Sequence, residues 1–594
     1  MDLKNPMRIL GISSFAHDQS AALLEDGVIR AVVEENKLSR QKNSRGLPTA
    51  AIQFCLKRAV AGWESVDHIA VATTPVRGWL RRSAAGARIS PLDPVSAGYA
   101  QVGEIGRIAR ELGQLRVLRH QPGSGANKIV HVEHHLSHAA SAFFLSPFER
   151  ALVITMDEDG DGQSGMLAIG EGSRLRKLRD IRYPHSLAWL YSQITEILGF
   201  VPHVDEHKTQ WMSLGGEPQY GEVLHDMLRR SGPGSVRLDP SYLDHGVGGR
   251  FVLSAKFWRK SGLPRNSAEL NEEQRRALAA TVQQVCEEKA AEVIETLSGE
   301  HKIHDVCLAG GLFNNTLLVS SLERKFGLDH VFVPPAPGNS GTALGAALYL
   351  QHQVQGKPRK QVSLDAYWGP AYSRHEIKDV LDNCKAKFSF QVMRERQTDQ
   401  AVQLLLSGKI IGWFQGAAEF GPRALGNRSV LASPWAPYVK ENLNDFIKHR
   451  EWFRPFAVSV PAEDASRYFE CSRLCEFMNS LARVRPSAEK LLDGFILPGG
   501  LVRLHTVKKE ANPVLWDLLK RFGLQAPAPM LLNTSFNLFG EPLVVSPLDA
   551  IRSYACSGID ALLMDNFLLT KAPIAAAPAR EAAFTNASIS RITA

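Results

Sequence analysis

From Met7 to Glu34 apolar runs alternate with short polar breaks. A first apolar strand is followed by a polar loop (Ala16–Ser20), a second strand, the turn Glu25-Asp26-Gly27 and a third strand. Asp-Gly between apolar runs predicts a tight hairpin. Residues 151–181 run in the same order: "ALVITM", the acidic loop "DEDGDGQS", "GMLAIG", the turn "EGS" and "RLRKLRDI". The two stretches share almost no residues, so the echo lies in the order of elements. A duplicated nucleotide-binding fold has this pattern, and so do two unrelated hairpins.

Residues 270–298 space their apolar side chains as a long amphipathic helix does. The strands "DVCLAGG" and "HVFVPP" each run into a small-residue loop and a helix, the second through "APGNSGTALGAALYL". That recurrence predicts α/β architecture. The polar stretch 351–363 reads as a linker, residues 364–575 as a second unit mixing helix and strand, and residues 576–594 as a tail.

With 594 residues, 44% of them hydrophobic and 22% charged, the chain is globular and long enough for two to four domains. No apolar run reaches the ~20 residues that span a bilayer. The first residues lack the basic and apolar regions of a signal peptide, so a cytoplasmic location is expected. Of seven scattered cysteines only Cys471 and Cys475 are close, which predicts free thiols. A net charge of +8 over this length is no nucleic-acid signature, although it suits an anionic substrate.

Four histidines, His131, His134, His135 and His138, crowd eight positions before the chain turns apolar. In a helix ended by Pro147, His134 and His138 share a face, as two imidazole ligands of one metal do. His131 and His135 have the same spacing, and histidines hydrogen-bonded in place satisfy it equally. Asp157, at a predicted strand end, supplies a carboxylate; two imidazoles and a carboxylate suit iron, manganese or zinc. Gly310-Gly311 and the glycines around Gly338 allow a ligand close to the backbone, or simply tight turns. Arg423, Arg428, Lys448, Arg450 and Arg454 stand among Phe, Trp and Gly, which fits an anion pocket better than a solvated face. No recognised RNA-binding motif accompanies them.

The ordered motifs "GISSFAHDQSAALL", "EENKLSRQKN", "HHLSHAASAFFLSPF", "LAGGLFNN", "PAPGNSGTALGAA", "FGPRALGNRSVLASP", "IKHREWFRPFA" and "LLNTSFNLFGEPLV" resemble the NodU/CmcH family of O-carbamoyltransferases, in register from about residue 7 to residue 570. The resemblance implies a metal-binding transfer domain over 1–350, with a duplicated actin/sugar-kinase-type (ribonuclease H-like) core. It also implies an α+β YrdC-like domain over 364–575, which makes carbamoyl-adenylate from carbamoyl phosphate and ATP with Mg2+. The first domain then passes the carbamoyl group to a hydroxyl of a small molecule such as an antibiotic, toxin or glycan.

Carried over position by position, the resemblance makes His17 the base that takes the hydroxyl proton. It makes His134, His138 and Asp157 ligands of a divalent transition metal, Fe2+ foremost and Mn2+ or Zn2+ as alternatives. Lys42, Gly310, Gly311 and Asn314 surround the adenylate, and Arg423, Lys448, Arg454, Arg503 and Ser535 hold ATP and carbamoyl phosphate. One departure is Asn339, where the family has an aspartate ligand; a neutral amide is the weaker donor. Another is "DEHKTQWMSLGG" (205–216), a loop expected to face the acceptor. The rivals are a tRNA threonylcarbamoyl-type transferase, for which +8 is a weak basic surface, and a catalytically silent nucleotide-binding protein. A hydrogenase-maturation carbamoyltransferase requires paired CxxC motifs that this chain lacks.

Overall fold

The computed structural model describes residues 6–14, 17–42, 46–58, 62–89, 105–106, 108–110, 112–118, 128–246, 251–359, 364–384, 388–393 and 397–571. The first hairpins form as the alternation predicts. Strands β1 (Arg8–Ser13), β2 (Ser20–Glu25) and β3 (Val28–Glu34) make an antiparallel meander, with β4 (His68–Val71) and β5 (Lys128–His131) added parallel beyond β1. The strand order is β3-β2-β1-β4-β5.

The second meander is β6 (Arg150–Gly160), β7 (Gln163–Glu171) and β8 (Arg174–Arg182). A small hairpin, β9 (Leu243–His245) and β10 (Phe251–Leu253), precedes β11 (Val306–Ala309) and β12 (Val331–Phe332), which extend β6 in parallel. Its order, β8-β7-β6-β11-β12, repeats the first sheet strand for strand, with the same parallel and antiparallel neighbours. The echo in the sequence is therefore a repeated sheet topology.

Helix α1 (Glu35–Ser39) follows β3, and α2 (His134–Leu145) carries the histidine segment. Further on lie α3 (Glu206–Met212), α4 (Glu272–His301), α5 (Thr316–Phe326) and α6 (Gly341–Tyr349). Helix α4 departs from the amphipathic expectation: Ala277–Gln283 are buried in an unbroken run, because neighbours cover it on several faces. Residues 351–354, the start of the expected linker, lie in a π-helical turn (Leu350–Val354) that continues α6, while 360–363 and the expected tail from 576 lie outside the described residues.

The second half is built on one ten-stranded mixed sheet. It comprises β13 (Phe388–Val392), β14 (Ile411–Phe414), β15 (Arg428–Ala432), β16 (Ala457–Pro461), β17 (Phe469–Glu470), β18 (Leu481–Val484), β19 (Leu501–Val507), β20 (Leu531–Ser535), β21 (Ala561–Met564) and β22 (Phe567–Lys571). Their order is β13-β22-β21-β14-β15-β20-β16-β19-β18-β17. A large hydrophobic cluster fills each half, Phe420 and Leu474 of the second half pack into that of the first, and a small cluster of Trp211, Leu317, Leu481 and Leu501 crosses between them. Polar contacts join them as well, above all around Lys37 and Glu34, a buried ion pair of the first half at 2.9 Å. The Lys37 ammonium also donates to the carbonyls of Glu419 and Gly421 at 2.8 and 2.9 Å, and the Gly421 N–H donates back to Glu34 at 2.7 Å.

Candidate active site

The histidine segment folds as a buried helix, and burial sorts its four imidazoles. His131 faces the Thr73 carbonyl at 2.8 Å, and His135 is used up by Thr155 Oγ1 at 2.8 Å and the Gln163 carbonyl at 3.1 Å. His134 and His138 remain, one helical turn apart, with their Nε2 atoms 3.0 Å from each other. Asp157 Oδ2 lies 3.2 Å from His138 Nε2 and 3.8 Å from His134 Nε2. Its Oδ1 accepts from the Glu158 N–H at 2.8 Å, which leaves Oδ2 for the imidazoles.

These three are the cluster of potential metal ligands among the described residues, their donor atoms all within 4.8 Å. Three buried, convergent lone-pair donors fit a divalent transition metal. Although burial pushes the Asp157 carboxyl up, hydrogen bonds from His134 and His138 hold it well below the usual carboxylate range.

Most of the acidic stretch is not a loop. Strand β6 runs on to Gly160 through a register shift, and the reversal is made by Asp161-Gly162, both at positive φ. Its carboxylates divide the work. Asp159 pairs with Arg82 at 3.0 Å. Asp161 pins Thr73, Thr74 and the His134 N–H, tying the end of β4 to the start of α2. Gly160 packs so closely on the His134 ring that a Cβ there would come within 2.0 Å of it.

His17 lies beside this cluster. Its Nδ1 contacts Asp18 at 3.0 Å, its Nε2 contacts Asn339 Nδ2 at 3.3 Å, and its ring is 6.0 Å from that of His203. Burial lowers its pKa, but Asp18, Asp157 and Glu158 together raise it to about 9. That field favours the protonated ring while Asp157 keeps its full charge. A cation at Asp157 offsets part of that field. Asn339 is buried, with an Oδ1 that has no protein partner.

The loop after β11 joins the two halves. Gly310, at φ +103°, lets the backbone pass over Met156, where a Cβ would come within 2.1 Å of a carbonyl oxygen. Gly311 then sits beside Asp157, and the Asn314 carbonyl accepts from Arg423 Nη2 at 3.1 Å. Lys42 stands exposed on the turn after α1, close enough to Arg454, Lys208 and Asp205 to feel their charges.

On the second half, Lys448 ends a π-helical turn (Asn442–Lys448) and His449 reverses the chain at φ 44°. The buried Lys448 ammonium donates to the Asn537 carbonyl at 3.1 Å and Asn537 Oδ1 at 3.0 Å, beside Ser535 at the end of β20. Burial and the nearby Arg450 and Arg454 push its pKa well below the usual lysine range. Burial and the charges of Arg423, Arg454 and Arg450 likewise hold Arg503, on β19, well below the usual arginine value. Arg423 Nε, Arg450 Nη2 and Arg503 Nε are buried without a protein partner. Crowded cations with unused donors form a site that an anion completes.

Arg450 belongs to this group, as its place among the basic residues of "KHREWFR" suggests, although the family resemblance does not name it. Arg428 does not belong. It is fully buried, stacks 3.7 Å from the Phe414 ring and donates to the carbonyls of Pro370, Gln415, Gly416 and Asn427, which makes it a structural strut.

Residues 8–81 and 109–348 match the family described as Carbamoyltransferase N-terminus, and residues 402–571 match Carbamoyltransferase C-terminus. The nodulation protein NolNO of Sinorhizobium fredii is 34% identical over 572 residues, covering 94% of this chain and 80% of its own length. The 3'-hydroxymethylcephem-O-carbamoyltransferase of Amycolatopsis lactamdurans is 32% identical over 246 residues, 41% of this chain and 45% of that one. Full-length HypF in its phosphate- and nucleotide-bound form aligns with 60% of this chain and 48% of its own, at 13% identity and a TM-score of 0.31. No helix among the described residues is long and apolar enough to cross a membrane.

Proposed function

The chain belongs to the carbamoyltransferase family, and on that premise we propose that it is an ATP-dependent O-carbamoyltransferase working in two steps at two facing clusters. In the first step water cleaves carbamoyl phosphate to carbamate and phosphate, and the carbamate oxygen attacks the α-phosphorus of ATP, displacing pyrophosphate and giving carbamoyl-adenylate. In the second, a hydroxyl of a small molecule attacks the carbamoyl carbon and AMP leaves. The first step belongs to the YrdC-like second half and the second to residues 1–350.

The observation that carries this reading is the pair of clusters joined through Arg423 and Asn314, one rich in unused cationic donors and one in convergent lone pairs. Lys448, Arg423, Arg454, Arg503 and Arg450 spread the phosphate charge as pyrophosphate departs. Ser535 Oγ, 2.7 Å from Asn537 Oδ1, adds a hydroxyl to the same wall. Lys42 and the Gly310–Asn314 loop hold the adenylate, and His17 takes the proton of the acceptor hydroxyl. His134, His138 and Asp157 hold a divalent transition metal, iron being the foremost candidate and Asn339 a weak further donor; when bound it supplies Lewis-acid polarisation of a carbonyl or phosphate oxygen.

The name of one relative, a hydroxymethylcephem O-carbamoyltransferase, supports a small-molecule hydroxyl as acceptor. A silent nucleotide-binding protein has no use for both clusters intact. Mass spectrometry of the protein incubated with ATP, Mg2+ and carbamoyl phosphate, without acceptor, tests the first step. Carbamoyl-adenylate and pyrophosphate are expected. Folded protein that binds ATP and makes neither refutes the reading.

A further inference from the structure

Where α3 ends in the turn Ser213–Gly215, a cavity of about 230 Å3 opens between the two halves of the chain. Trp211 and Met212 wall it from the first half, and Trp452, Phe453 and Phe495 from the second. Trp452 is the rim: it is 70% exposed, set edge-on to Phe453 at 5.9 Å, with the Arg276 guanidinium 5.7 Å above its ring. An exposed tryptophan over an apolar hollow is the kind of surface a ligand covers.

The polar lining is informative for what it omits. It has three basic side chains, Arg276, Lys440 and Arg454, against the single carboxylate of Glu272, a net of +2, and no hydroxyl, amide or imidazole side chain. Arg276 is paired with Glu272 at 2.9 Å, and Arg454 stands 3.8 Å from Glu451. The wall therefore offers stacking surface and positive charge, with few side-chain groups for hydrogen-bond selection. It accepts a flat or puckered apolar ring, neutral or anionic, and repels a polycation.

Resting on the carbamoyl-transfer reading above, we propose that this cavity seats the non-reacting body of the acceptor, which is therefore a ring-bearing, uncharged or anionic hydroxylated amphiphile and not a polyamine. Its position fits that role. Arg454 belongs both to the cavity wall and to the cationic cluster. Helix α3 leads from the cavity at Trp211 and Met212 back to Lys208, which pairs with Glu451 at 2.8 Å, and to Asp205, beside Lys42. Just before it, His203 pairs with Glu158 at 3.1 Å and faces His17. Seven helical residues at 1.5 Å each span about 10 Å. The departure noted at residues 205–216 then has a meaning, since this segment forms one wall of the acceptor's path.

The test uses 4-methylumbelliferyl β-D-glucoside, a fluorescent neutral ring carrying remote hydroxyls, titrated into the full chain and followed by anisotropy. Saturable binding is expected, weakened about tenfold in Trp452→Ala, the loss of one aromatic stack. Kanamycin, a polycation, is not expected to displace the probe. Trp452 is exposed, so the variant's melting temperature should match that of the parent and exclude misfolding. No saturable binding, equal affinity in the variant, or displacement by kanamycin overturns the proposal. Acceptor-free pyrophosphate release, measured on the same parent preparation, judges the carbamoyl-transfer reading separately.

Discussion

The Glu34–Lys37 pair offers a quantitative check on how the two halves are joined. Both side chains are nearly sealed, at 5% and 6% exposure, and the ammonium has two carbonyls of the 419–421 loop as its other partners. Replacing Lys37→Met removes the cation and both hydrogen bonds while leaving a buried carboxylate, a change that costs about 3–5 kcal/mol. Glu34→Gln in the same background removes the stranded charge, so the double variant should recover about 1–3 kcal/mol of the summed single losses.

The pH dependence has a definite sign. Burial raises the Glu34 pKa even with Lys37 beside it, and without Lys37 the rise is larger. A folded-state pKa above the unfolded one gives stability that is complete below the unfolded value and is lost as pH rises through the folded value. The Lys37→Met deficit should therefore be greatest at neutral pH and shrink toward about pH 5. Urea unfolding of the four cycle members, at both pH values, measures these terms. Strict additivity, or a Lys37→Met deficit below about 1 kcal/mol at neutral pH, would refute the claim that this pair clamps the halves.

Three further outcomes follow from the two clusters. Alanine at His134 or His138 should lower divalent-metal affinity by about 100-fold or more, read by elemental analysis after dialysis, with acceptor-free pyrophosphate release unchanged. Asn339→Asp adds a carboxylate and should slow metal loss to a chelator about tenfold; equal rates would remove Asn339 from the ligand set. Binding of inorganic phosphate should take up protons, because burial and mutual repulsion lower the pKa of Arg450 to about 9 and hold Lys448 well below the usual lysine range, and an anion reverses both. Calorimetry in buffers of different ionisation enthalpy should show uptake increasing toward pH 9; a buffer-independent enthalpy contradicts it.

The sequence by itself determined what local rules govern. The Asp26-Gly27 hairpin, the helix that begins at His134 and stops before Pro147, and the strand–loop–helix recurrence all rest on periodicities of two and 3.6, set by neighbouring residues. The ordered motifs determined the family as well. Tertiary structure decided the rest. Spacing left His131/His135 and His134/His138 equivalent until Thr73, Thr155 and the Gln163 carbonyl claimed one pair. Arg423 and Arg428 look alike in "FGPRALGNR", yet one faces a carbonyl of the other half and the other is walled in by four carbonyls of its own. The acidic run reads as a loop because Asp disfavours strands; pairing with β7 on either side of it, at Met156 and Gly160, carries the strand through. The contact of Arg423 with Asn314, 109 residues apart, has no local cause at all. It exists because the two halves present complementary donors and acceptors, and only folding brings those surfaces together.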